Sequence, residues 1–92
     1  MTTSERIALA DAERRRIKEL VCEILELNPE DVTDSSLFKS EHGADSLGLL
    51  EIHASLEQEY GISLEQLPLH ELTNLAAVYR AVATARGLAG EQ

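Results

Sequence analysis

Apolar positions along the chain recur at steps of three and four, which is the spacing of one face of an α-helix. Ile17, Leu20, Val21, Ile24, Leu25 and Leu27 form one such stripe. They predict a first helix starting near Asp11, with Asp11 as its cap and Glu13 favourable in the first turn. Asn28-Pro29 is expected to stop it, because proline restricts the residue before it and has no amide hydrogen. Thr2 and Glu5 have capping-box spacing, and residues 1–10 either extend this helix or fray. Residues 28–45 read as a long connection rich in Asp, Ser, Glu and Gly, with Val32, Leu37 and Phe38 expected to pin it to the core. Such length inside a small domain often carries function.

A second helix is expected from Ser46 to Tyr60. Leu49, Ile52, His53, Leu56 and Tyr60 share one face, while Leu47, Leu50 and Ala54 share a neighbouring face that the core does not need. That surplus apolar strip lies beside Glu51, Glu57 and Gln58 and looks built to meet a partner. Gly61 is expected to end the helix in the left-handed conformation. Pro68 to Leu72 predicts one short helical turn with Pro68 at its first position. Thr73 is the expected cap of a last helix carrying Leu75, Val78, Tyr79 and Val82, closed by Gly87. The resulting fold class is all-α: a four-helix bundle of three longer helices and one short third helix, with a long loop between the first and second. The 92 residues are expected to form a single domain, with 1–10 and 88–92 as flexible ends.

Composition narrows the function. At 43% apolar residues the chain has enough for a core, and it has only three aromatics with which to wall a deep cleft. The net charge is −9, which argues against nucleic acid. Residues 40–79 hold seven acidic side chains (Glu41, Asp45, Glu51, Glu57, Glu59, Glu65 and Glu71) and no Lys or Arg. Such a stretch is either a solvated surface or a docking face for basic partners. No apolar run is long enough to span a membrane, and Met1 to Arg16 lacks the apolar core of an export signal, so a cytoplasmic protein is expected. The lone Cys22, within the first stripe, reads as a small core residue. Three scattered histidines lack ligand spacing and the acidic residues form no calcium loop, so no metal site is expected.

The most informative segment is Gly43-Ala44-Asp45-Ser46-Leu47, where the long connection meets the second helix. Asp-Ser ahead of an apolar periodic run is a common helix start in its own right. A serine hydroxyl there is also exposed, and the helix dipole and free amides favour an attached phosphate. With Glu51, then Leu56-Glu57-Gln58-Glu59-Tyr60-Gly61-Ile62, Phe38 in the connection and Leu72-Thr73-x-Leu75, the segment resembles the acyl carrier proteins of fatty-acid and polyketide synthesis. The resemblance runs from about Ile17 to Val82.

It implies that Ser46 is the attachment point of 4′-phosphopantetheine, a flexible arm whose thiol carries acyl groups as thioesters. It further implies that the protein is not an enzyme and catalyses nothing itself. A separate phosphopantetheinyl transferase, using coenzyme A and Mg²⁺, would modify it. Asp45 would help position metal and phosphate during transfer, besides capping the helix. Leu47, Leu50 and Ala54, flanked by Glu51 and Glu57, map onto the family's partner-facing strip. The implied partners are the transferase, an acyltransferase or ligase, and ketosynthase or tailoring enzymes with basic patches. Leu49, Ile52, Leu56, Tyr60 and Leu64 would line the space where relatives shelter an acyl chain.

Departures from the family pattern are His42 for a usual leucine, Gly48 for a common acidic residue, His53 for an aliphatic one, and Leu67-Pro68-Leu69-His70 for a more acidic stretch. His53 and His70 read as satisfied core or edge residues, and Arg14-Arg15-Arg16 as a solvated helix face. Together with the Ala/Arg/Gly-rich tail, the departures point to polyketide or other specialised metabolism ahead of primary fatty-acid synthesis. A discrete monomeric carrier is expected. The alternatives are a peptidyl or aminoacyl carrier, which usually has two glycines before its motif, and an unmodified helical interaction domain.

Overall fold

The computed structural model describes residues 11–65 and 67–86. Three α-helices carry the fold: α1 (Asp11–Leu25), α2 (Ser46–Tyr60) and α3 (Leu75–Ala85). Two short 3-10 turns, Pro29–Asp31 and Leu69–Glu71, sit in the connections. No strand occurs among the described residues, and no helix there is long and apolar enough to cross a membrane. The architecture is all-α as expected, and the short third helix is a single 3-10 turn. Pro68 precedes that turn as its cap and does not stand at its first position.

Each helix buries the stripe that predicts it. Ile17, Val21 and Cys22 of α1 meet Leu49, Ile52 and Leu56 of α2 and Leu75, Val78 and Val82 of α3, all essentially sealed from solvent. Ion pairs fix the helix directions. Arg16 near the start of α1 donates to Glu59 near the end of α2 at 2.6 Å, and Arg86 just past α3 reaches Glu13 of α1 at 2.6 Å. Arg86 also lies over the Tyr60 ring, 5.7 Å from its centroid. The start of α1 and the ends of α2 and α3 therefore gather at one pole, and α1 runs antiparallel to both others. Leu25 at the end of α1 and Gly48 in the first turn of α2 meet at the opposite pole.

α1 and the start of α3 depart from expectation in four places. Asp11 is itself helical, which excludes it as the flanking cap. α1 stops before Asn28-Pro29: Leu27 N–H bonds Cys22 C=O at 2.8 Å, Glu26 N–H bonds Glu23 C=O, and Glu26 adopts φ 59°. This is the paired hydrogen-bond pattern that usually ends on glycine, here imposed on a glutamate. Asn74, not Thr73, caps α3, its side chain accepting from Ala77 N–H at 2.9 Å. Arg14 is not solvated like Arg15 and Arg16; it is half-buried, with its guanidinium over the Tyr79 ring. The Thr2–Glu5 capping box, Gly87 and the flexible ends lie outside the described residues.

The long connection is pinned at both ends. Val32 and Phe38 are buried, Phe38 N–H bonds Thr73 C=O at 2.9 Å, and Ala76 N–H bonds Asp34 C=O at 3.0 Å. These bonds join the loop to the start of α3. Leu37, expected in the core with them, points outward at 41% exposure. Its neighbours Ser36 and Phe38 take the inward positions, and Glu41 Oε2 accepts the Leu37 N–H.

Candidate functional site

Ser46 is the first residue of α2 and is exposed. The chain reaches it through Gly43, whose φ of 71° is the left-handed conformation that glycine adopts without a Cβ clash. Asp45 is extended, and its Oδ1 accepts the Gly48 N–H at 3.0 Å. The first intrahelical bond runs from Leu49 N–H to Asp45 C=O, so the amides of Ser46 and Leu47 stand outside the ladder. A hydroxyl at this place faces solvent at the positive end of a fifteen-residue helix. An ester-linked phosphate fits there on both counts: room outside the protein and a favourable dipole. Ser46, Asp45 and the first turn of α2 are the residues that would hold the arm.

The loop beneath this corner is closed by polar side chains. His42 Nε2 lies 3.0 Å from Ser36 Oγ, and Ser36 Oγ also accepts the Thr33 N–H at 3.0 Å. The histidine that replaces a leucine thus trades apolar packing for a tie across the loop. Gly48 has an equally local reason. A Cβ there would stand 2.8 Å from Leu25 Cδ2, so its absence lets the end of α1 close on the first turn of α2.

The apolar strip is on the surface as expected: Leu47 is 65% exposed, Leu50 50%, and Ala54 and Glu51 are exposed beside them. Glu57, expected to flank the strip as a free charge, is only half-exposed. Its Oε2 accepts the Leu64 N–H at 2.7 Å, and its Oε1 lies 4.0 Å from His53 Nδ1. His53 is half-buried and satisfied at an edge, its Nε2 2.8 Å from Leu64 C=O. His70 is exposed on the Leu69–Glu71 turn.

Of the five residues expected to line an internal space, Leu49, Ile52, Leu56 and Leu64 are packed in the core and Tyr60 is half-buried. An open groove of about 560 Å³ lies between Ser63, Leu64, Glu65, Leu67, Glu71 and α3. Leu64 is its one member from that set, and Leu67, Ala77, Arg80 and Ala81 are among the other lining residues. No group of three or more His, Cys, Asp or Glu side chains suited to a metal occurs among the described residues. Cys22 is sealed in the core, and that burial pushes its thiol above the ordinary range.

Comparison with known proteins bears on the same residues. Residues 15–82 match the family model "Phosphopantetheine attachment site". The chain is 45% identical over 74 residues to "Polyketide-8 synthase acyl carrier protein 1" of Streptomyces avermitilis, covering 80% of this chain and 88% of the relative. It is 35% identical over 68 residues to "Acyl carrier protein" of Wolinella succinogenes, covering 74% and 90%. Among solved structures, a chain of "The ishigamide ketosynthase/chain length factor" superposes with a TM-score of 0.70 at 33% identity, covering 85% of this chain and 99% of that one.

Proposed function

This chain belongs to the acyl carrier protein family of non-catalytic phosphopantetheine carriers, and from that premise we propose that Ser46 takes the arm and that the cargo is a polyketide-type acyl chain. The observation that carries the assignment of Ser46 is its exposed hydroxyl on the first residue of α2, behind the Asp45 cap. The arm supplies a thiol on which an acyl group is held as a thioester.

What the chain's own residues do is positional. Gly43 turns the loop so that Asp45 can cap, and the cap's bond to Gly48 N–H fixes the helix start. Ser46 is thereby left exposed at the helix start, where a transferase can reach it. No histidine or lysine adjoins Ser46 in sequence to take its proton, so that base belongs to the transferase. Leu47, Leu50 and Ala54 give such partners an apolar contact next to the modified serine, and the exposed Glu51, in no salt bridge among the described residues, supplies charge. Attraction of a basic partner face by the acidic 40–79 stretch raises the encounter rate and weakens with salt. A ketosynthase is the partner class supported by the likeness to the ketosynthase/chain length factor structure. We place the protein in the cytoplasm, with coenzyme A and the transferase.

The test is intact mass after incubation with a broad-specificity phosphopantetheinyl transferase, coenzyme A and Mg²⁺. One phosphopantetheine per chain is expected, and none on Ser46→Ala. A gain that persists in Ser46→Ala, or no gain at all, would overturn the assignment. Offering the modified protein malonyl and aminoacyl donors sets the cargo class: loading with amino acids alone would indicate a peptidyl carrier.

A further inference from the structure

Leu64 is held by α2 through both of its backbone groups. A carbonyl oxygen only accepts, so the 2.8 Å contact to His53 Nε2 requires the hydrogen on that ring nitrogen. The same carbonyl accepts the Leu67 N–H at 2.9 Å. The Leu64 N–H donates to Glu57 Oε2 at 2.7 Å. His53 and Glu57 are four residues apart on α2 and so stand one above the other on the same face. Two side chains of one helix thereby grip a single residue of the segment that follows it.

Leu64 is also where two regions of the interior meet. Its side chain is buried in the cluster with Leu49, Ile52 and Leu56, and it lines the open groove with Leu67, Ala77 and Ala81. It forms the partition between groove and core. We infer that His53 and Glu57 are a latch on Leu64 that keeps the groove closed to the core and so restricts entry of the carried acyl chain. The cargo half of this inference rests on the carrier reading above; the latch itself does not. His53 is the distinctive half. An aliphatic residue at this position has no N–H to offer Leu64 C=O, and the grip would fall to Glu57 alone.

Amide hydrogen exchange on the full-length, ¹⁵N-labelled protein tests the latch directly. His53→Val is expected to speed exchange of the Leu64 and Leu67 amides by about tenfold, with Val21 and Ile52 unchanged, because one local grip has been released and not the whole fold. His53→Gln keeps an N–H donor and is expected to restore most of the protection. Unchanged exchange at Leu64 and Leu67, or equal acceleration at Val21 and Ile52, would overturn the latch.

The second arm compares wild type and His53→Val, each loaded with a hexanoyl group from hexanoyl–coenzyme A by the transferase. Loading is expected to shift the Leu67, Ala77 and Ala81 amide resonances more in His53→Val than in wild type. Equal shifts would overturn control of cargo access. Failure of Ser46 to load would instead sink the carrier reading and its cargo half, while the exchange data would still decide the latch.

Discussion

The two poles of the molecule are built from different chemistry. Where α1 begins and α2 and α3 end, Arg16 pairs with Glu59, Arg86 pairs with Glu13, and the Arg86 guanidinium also covers the Tyr60 ring. At the opposite pole no ion pair is formed among the described residues. There Gly48 admits Leu25, Phe38 is sealed beneath the loop, and Leu47 and Leu50 are left in solvent. One end engages Arg16 and Arg86 with internal partners; the other keeps apolar contacts and carboxylates that form no salt bridge among the described residues, with Lys39 exposed in the same loop. The difference teaches that surface charge here is divided by location. Arg16 and Arg86 are both paired at the far pole, so neither adds free positive charge beside Ser46.

Breaking that division gives a graded set of outcomes. Phe38→Ala removes the largest fully buried side chain of the Ser46 pole, and should cost about 3–5 kcal/mol by thermal or denaturant unfolding, a large part of a small domain's stability. Glu51→Lys should slow transferase modification about tenfold at low salt while leaving the unfolding midpoint nearly unchanged, and the difference should shrink as salt rises. Glu51 is the clean choice because Glu57→Lys would also cut the bond to Leu64 N–H. Glu26→Gly should stabilise by about 1 kcal/mol, since a glutamate at positive φ carries steric strain that glycine does not. The smallest effect is reserved for the charged pole: Arg16→Ala breaks an exposed pair and should lower Tm by only a few degrees.

Alkaline titration sharpens the same contrast from inside. Burial raises the Cys22, Tyr60 and Tyr79 groups above their ordinary values of 9.0 and 10.0, so the folded state holds these protons longer than the unfolded chain. Their contribution is complete below those values and is lost as pH climbs through and past them. Thermal unfolding followed upward from pH 8 should therefore show a falling Tm.

The parts legible in the sequence were those decided within a few residues. The α1 and α2 stripes, the Asp45 cap, the Gly61 stop and the outward strip of Leu47, Leu50 and Ala54 all follow from local periodicity and capping chemistry. The helix start at Asp45-Ser46 belongs to this class, because the cap and the first turn lie within one short segment. What could not be read depends on contacts between distant segments. Leu37 and Phe38 are equally apolar, and only the Phe38–Thr73 bond and the packing under the loop decide which turns inward. Glu57 has the sequence context of a surface carboxylate until the chain reverses after Gly61 and presents Leu64 N–H to it. The end of α1 is not legible in the sequence, because a left-handed glutamate carries no compositional signal, whereas Asn28-Pro29 does.

Cys22 has a practical corollary. Its sulfur is walled in by the α1 stripe and kept protonated, so it offers no nucleophile to a maleimide or to a thioester. An acyl group cannot migrate from a prosthetic thiol onto the polypeptide's own sulfur. Any thiol-directed dye added to the native, modified protein would therefore report on the arm alone, with no cysteine needing to be engineered away.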